Sequence, residues 1–364
     1  MKRVFANHRD APRSAAGPIA HGTARGRTGI DYGARFPRSR SGVRVGLGLV
    51  VSLAMVACAG APAPASTESP DETAFPSAPA ETARSTVETG PVAGALCSFG
   101  VPTNLGAELN APGFDGGPTP SFDGLRLYFV SDRSGSQGGD IWVSERPAPD
   151  GAFGSPENLG PGVNGEGNEG APSLSRDELV IVFDRDDGGI WSATRPAISA
   201  PFGTAERLSG SVNIPFAGFP ALSADGLTLH FASAREGGQG GMDLWRATRG
   251  ATAEPFGAVE NLGSSVNGPL DDAMATVSAD NLRIVFASIR EGGMGDWDLW
   301  MAVRPNAETG FGSPVNLGPD LNTEGFEGRP HLTSDGSVLM FMSDRPGGQG
   351  AVDLWQVTID CSTD

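Results

Sequence analysis

Along the second two-thirds of the chain, apolar and polar positions alternate in short runs, each closed by Gly, Pro, Asn or Asp. Period-two alternation over four to six residues predicts half-buried β-strands. Residues 125–130 (LRLYFV) are the clearest run and follow Asp123-Gly124, a pair that signals a hairpin between strands. A shorter run, residues 170–174 (GAPSL), follows an acidic approach. A Gly-rich loop leads into residues 140–144 (DIWVS), and a fourth short strand is predicted at residues 156–159 (PENL). No helical period competes with these runs after residue 95.

The runs recur as a unit. One copy spans residues 114–164, and others start near Asn168, Phe216, Leu270 and Phe326. Each copy has one anchor tryptophan: Trp142, Trp191, Trp245, Trp300 and Trp355. In the four complete copies a Phe-Gly follows the Trp at a constant spacing, at Phe153, Phe202, Phe256 and Phe311. Four strands in about 50 residues is the pattern of a propeller blade.

The chain ends separate a ring from an open solenoid. The fifth copy stops at Asp364, before any Phe-Gly, and the missing piece stands at the front. Residues 99–110 (FGVPTNLGAELN) match residues 311–322 (FGSPVNLGPDLN). The prediction is an all-β fold, a five-bladed β-propeller with four-stranded blades in which an N-terminal strand completes the last blade. Cys97 and Cys361 flank that junction. In an uninterrupted copy their positions would be three residues apart, so a disulfide between them is expected to pin both ends of the ring.

Charge changes the picture at Cys58. Ten of the 26 basic residues precede it, against two of the 43 acids. From Cys58 onward 16 basic residues face 41 acidic ones, which disfavours nucleic acid as a partner. Residues 43–57 (VRVGLGLVVSLAMVA) carry the apolar core and small-residue end of a secretory signal, with arginines before it. The junction Met55-Val56-Ala57-Cys58 resembles a bacterial lipobox, although Met55 departs from the usual Leu. Residues 1–57 are therefore read as leader and signal peptide, with Cys58 as the lipidated residue. By the same resemblance, Ala59 lacks the inner-membrane retention residue and favours the outer membrane. Residues 58–95, rich in Ala, Pro, Ser, Thr and Glu, form a flexible tether too poor in large apolar side chains to fold. The propeller occupies residues 96–364.

The motifs SDRSGSQGGDIW, ASAREGGQGGMDLW and SDRPGGQGAVDLW, each followed by NLG or a close variant and then VN or LN, resemble the WD40-like propeller repeat of TolB and of OmpA-associated surface proteins. The resemblance covers residues 99–358. It implies a cell-envelope propeller used for protein or glycan contacts, and it does not imply an enzyme. Blade two departs from it: Gly189 replaces the Asp that stands two residues before Trp in the other blades, so shared contacts are expected to be weak there.

Three sets of residues are candidates for chemistry. Arg133 with Asp140, Arg235 with Asp243, Arg290 with Asp298 and Arg345 with Asp353 recur together, and a structural Arg–carboxylate bridge is expected at the base of each Gly-rich loop. A second set, Asp115, Glu169, Asp272 and Glu327, precedes the first strand of each blade, with Ala217 in blade three. If the first strand lines the channel, these acids crowd one mouth, where Ca²⁺ or a cationic ligand would neutralise them. The competing reading is local hydrogen bonding, aided by the recurring Asn110, Asn164, Asn213, Asn267 and Asn322. His230 and His331 are the histidines of the domain, and both read as packed side chains. No zinc spacing, phosphate-binding glycine loop or nucleophile elbow is present.

These readings favour a monomeric, exported lipoprotein, periplasmic or on the cell surface. It would touch membrane only through its anchor and bind a protein or glycan of the envelope. The alternative is a glycoside hydrolase with carboxylates in the channel. Repeat-equivalent acids count against that, because an active site needs one copy of each group.

Overall fold

The computed structural model describes residues 97–213 and 216–361, and the leader, the tether and Cys58 lie outside them. Two short strands, β1 (Cys97–Phe99) and β2 (Thr103–Asn104), precede five sheets. Blade I holds β3 (Asp115–Pro120), β4 (Arg126–Ser131), β5 (Asp140–Glu145) and β6 (Glu157–Asn158). Blade II holds β7 (Glu169–Leu174), β8 (Val180–Arg185), β9 (Gly189–Thr194) and β10 (Glu206–Arg207). Blade III holds β11 (Gly218–Leu222), β12 (Thr228–Ser233), β13 (Asp243–Thr248) and β14 (Val259–Asn261). Blade IV holds β15 (Asp272–Val277), β16 (Arg283–Ser288), β17 (Asp298–Val303) and β18 (Val315–Asn316). Blade V holds β19 (Glu327–Leu332), β20 (Val338–Ser343) and β21 (Asp353–Cys361).

Each sheet is an antiparallel meander, and the first strands pack on one another in turn, with β19 returning to β3. The ring closes as the repeat arithmetic requires. β1 pairs with β21 through Cys97↔Cys361, Ser98↔Asp360 and Phe99↔Ile359, and β2 pairs with it through Thr103↔Gln356 and Asn104↔Trp355. The Cys97–Cys361 disulfide joins the two strands across a sequence separation of 264.

The core lies between blades, so the central strands are buried on both faces and their alternation in burial is muted. One phenylalanine per blade, at equivalent positions of the second strand, is fully buried: Phe129, Phe183, Phe231, Phe286 and Phe341. Each hydrophobic cluster spans neighbouring blades, as where Leu127, Phe129 and Trp142 of blade I meet Met340 and Leu354 of blade V. Blades therefore stabilise one another, and a single blade would leave both of its faces in water.

Every inner strand carries a register shift, as between Gly116 and Thr119. The residue at the shift takes a left-handed conformation: Gly117 (φ 63°), Ala171 (47°), Phe219 (56°), Met274 (58°) and Arg329 (46°). Only the first is glycine, so four bulges hold conformations that side chains rarely adopt. These positions line the waist of the channel. Arg329 lies with its guanidinium 4.8 Å from the Phe219 ring centroid and is 8% exposed, filling the waist.

Candidate functional site

At the end of the ring where the inner strands begin, the chemistry is repeated and mostly paired within each blade, although Glu169 Oε2 is buried without a hydrogen-bond partner. The arginines do not bridge to the aspartates that precede the tryptophans. Arg133 instead reaches Asp115 at 2.8 Å, Arg345 reaches Glu327 at 3.2 Å, and Arg290 pairs with Asp272. Arg185, absent from the repeated set read in the sequence, reaches Glu169 at 3.0 Å. The reason is geometric. Each guanidinium lies over the Phe of its second strand and the Trp of its third, as Arg133 does over Phe129 (4.9 Å) and Trp142 (5.4 Å), and this sandwich turns it toward the start of the first strand.

Asp115, Glu169, Asp272 and Glu327 are thus at most 1% exposed and neutralised blade by blade, instead of crowding a channel mouth. Burial pushes the Asp115 carboxyl up and carries Glu169 to about 7, against the pull of its Gly165 amide and Arg185. Among the described residues, no three of His, Cys, Asp and Glu come together so as to hold a metal ion.

The other two recurring polar residues also serve the backbone. Asn164 accepts from the Ile141 amide and donates to its carbonyl, both at 2.9 Å, and an equivalent Asn does this in each blade for Leu354, Ile190 and Leu244, and at Leu299. It thereby continues the sheet where the fourth strand has ended. Asp140, Asp243, Asp298 and Asp353 each accept from the fourth-strand asparagine of their own sheet. Blade two replaces this unit. Arg207 stands where the others have Asn, and its guanidinium fills the space a side chain at position 189 would take, so Gly189 and Arg207 form one coupled substitution.

At the other end of the inner strands the five first hairpins surround a basin of about 330 Å³. Its wall is repeated: a Ser or Thr hydroxyl donates to an Asp two residues on, as in Ser121 to Asp123 and Ser223 to Asp225. The tips are not repeated. The position after that hydroxyl residue is Phe122, Arg176, Ala224, Ala279 and Ser334 in turn. Arg176 lies 3.9 Å over the Phe122 ring, so one bulky side of the rim faces a side built of small residues. His331 and His230 line the interior, and burial pushes both imidazoles down to about 4, so they are neutral at pH 7.

The clefts between blades on this end also differ. Between blades I and II, Glu178 replaces the glycine of the Asp-Gly turn at φ 56° and is 3% exposed. It accepts Arg126 through Nε and Nη2, both at 2.7 Å, and Tyr128 Oη at 2.7 Å, and lies 3.4 Å from Arg195. Arg195 Nη2 donates to Tyr128 Oη at 2.9 Å, and burial with the Glu178 charge raises the Tyr128 pKa. Between blades III and IV the equivalent residues are Thr228, His230, Asn281 and Arg304. Three of these, Thr228, His230 and Asn281, line the basin, which runs into that cleft. Sequence reading missed both clefts, because Glu178 and Asn281 occupy a turn position where glycine is the ordinary choice.

The fold and these contacts define a five-bladed β-propeller with one structurally repeated face and one individual face. Solved structures similar to it include TolB from Acinetobacter baumannii, at 18% identity and TM-score 0.45, covering 68% of this chain and 54% of that one. This chain thus spans about half the length of that TolB chain. Others are the catalytic domain of a Coprinopsis cinerea GH62 alpha-L-arabinofuranosidase (11% identity, TM-score 0.49, 73% and 98% covered) and a thermostable family-43 glycoside hydrolase (14%, 0.44, 69% and 90%). No family model and no curated protein sequence matches the chain.

Proposed function

We propose that this chain is an envelope-tethered binding module that takes a protein or glycan ligand in the basin formed by its first hairpins. The observation that carries this reading is the distribution of individuality. At one end of the ring the same Arg–carboxylate pair recurs in four of the five blades, whereas Phe122, Arg176, His230 and His331 break the repeat and converge on one concavity. A cavity with a few convergent polar groups is the ordinary form of a ligand site. Export through the signal at residues 43–57 and lipidation at Cys58 would place the ring at the outer membrane, periplasmic or on the surface.

Hydrolysis has less support. Acid and nucleophile roles need two carboxylates across one cavity. Among the described residues, Asp225 alone of the hairpin aspartates lines the basin, and Ser223 and the Leu227 amide already engage it. The test is retention of envelope proteins and of a glycan panel by the full chain and by Ala279→Trp, which walls off the rim. A ligand held by the parent and lost by the variant supports the reading. Retention indifferent to Ala279→Trp, or glycan turnover abolished by Glu169→Gln, overturns it.

A further inference from the structure

The two inter-blade clefts described above can be compared residue by residue, because the repeat places Arg126 with Thr228, Tyr128 with His230, Glu178 with Asn281 and Arg195 with Arg304. In the first cleft a carboxylate sits between two arginines and a phenol. In the second, every group that filled the space has been exchanged for a smaller or uncharged one, while the buried arginine has stayed.

Arg304 is 8% exposed, close to the 9% of Arg195. It keeps the same anchors: Nε donates to the Asn281 carbonyl at 2.7 Å, and the guanidinium lies 4.3 Å over Phe311, as Arg195 does to Glu178 and Phe202. Nη1 is held by the Thr309 carbonyl at 3.1 Å. Arg195 spends Nη2 on Tyr128 and Glu178, whereas Arg304 Nη2 has no protein acceptor and Arg304 has no carboxylate in ion-pair reach among the described residues. Arg146 and Arg249 also lack carboxylates but are more exposed. The stem and two nitrogens of Arg304 are thus fixed in the cleft, while Nη2 is not buried away from solvent and is open to an anion that enters the cleft.

Two cations stand near this cleft, and after burial their charges are the next causes that push the His230 imidazole down: Arg246, which Glu260 pairs at 2.8 Å, and Arg304, which has no such partner. Asn281 keeps a left-handed backbone (φ 61°) close to that of Glu178 (56°). The remaining wall is hydroxyl-rich, with Thr228, Thr276 and Ser278 toward this cleft.

We infer that the cleft between blades III and IV is the carboxylate subsite of the basin, and that its ligand is a uronic acid unit of a glycan. This rests on the proposed binding role of the basin. The sugar carboxylate takes the place that Glu178 occupies in the sister cleft, accepting from Arg304, while the sugar hydroxyls meet Asn281, His230 and the Ser/Thr wall. Hydroxyls on the wall favour a sugar over an acidic peptide, whose carboxylates come on apolar stems.

The experiment measures binding of an oligogalacturonate, its methyl ester and a glutamate-rich peptide to the full-length protein by calorimetry. The oligogalacturonate is expected to bind, and esterification to weaken it at least about tenfold, as loss of a charge-assisted contact does. Arg304→Gln should weaken the acid form by a similar factor and the ester far less. Because that variant disturbs the Phe311 contact, a second one is decisive. The triple change Thr228→Arg, His230→Tyr and Asn281→Glu copies the satisfied sister cleft, so it should fold and exclude the acid. Equal binding of acid and ester, or acid binding that survives the triple change, overturns the inference, as does binding of the peptide alone. Absence of any uronate binding also overturns it, while the Ala279→Trp comparison still decides whether the basin binds anything.

Discussion

Replacing Cys97 and Cys361 by serine tests the closure on which the fold depends. In the structure, the bond ties β1 to the end of β21, next to the pairs Ser98↔Asp360 and Phe99↔Ile359. It closes a loop given by the sequence separation of 264. A cross-link that restricts the unfolded chain over a loop of that order stabilises the native state by about 5.5 kcal/mol in the chain-entropy treatment, an upper figure. The folded ring loses little in the exchange, since β1, β2 and the Asn110 contacts to Leu354 remain. Guanidinium unfolding followed by tryptophan fluorescence reads the difference directly, because each blade carries an anchor Trp against an Arg. The oxidised protein should unfold several kcal/mol above the double serine variant, and the reduced protein should coincide with the variant. Near-UV circular dichroism before the transition should be the same for all three. If oxidised protein and variant agree within about 1 kcal/mol, the ends are not cross-linked as described or the cross-link does not limit the unfolded chain. Loss of native near-UV signal in the variant would instead mean that strand pairing alone cannot close the ring.

Asp272→Ala should destabilise by about 3 to 5 kcal/mol, because it strands the Arg290 charge. Ala217→Asp, which offers Arg235 the carboxylate that blade three lacks, should be neutral or mildly stabilising; thermal melts of both variants check the contrast. Glu169, raised by burial to about 7, subtracts stability as pH rises from about 4.5 toward 7, whereas His230 and His331, pushed down to about 4, add stability as pH rises from about 4 to 6.5. Glu169→Gln should therefore steepen the gain in stability between pH 5 and 7, measured by melts across that range. Cys58→Ser should move the protein from the membrane fraction to the soluble fraction of the envelope, and unchanged fractionation would remove the lipid anchor from the account.

Much of this architecture was legible because a repeat displays its rules several times. The Trp to Phe-Gly spacing defined the blade, the alternation after Asp-Gly defined its second strand, and the displaced residues 99–110 showed that the ring closes. These are local signals, set by the two-residue period of a strand and by turn chemistry. What the repeats could not show was which partner each charged residue meets. Arg133 and Asp140 recur together along the chain, yet Arg133 turns to Asp115, because stacking between Phe129 and Trp142 aims it there. Gly189 reads as a loss in blade two, whereas in the fold the Arg207 guanidinium fills the vacated space. The basin was hidden for the same reason, since Phe122, Arg176, His230 and Asn281 lie far apart in sequence and become neighbours only when five hairpins are drawn to one end of a ring. Chain pattern alone determined the strands, their number and the closure, whereas pairing of buried charges and the shape of the individual face were decided by packing between blades, where contact is set by direction in space and not by distance along the chain.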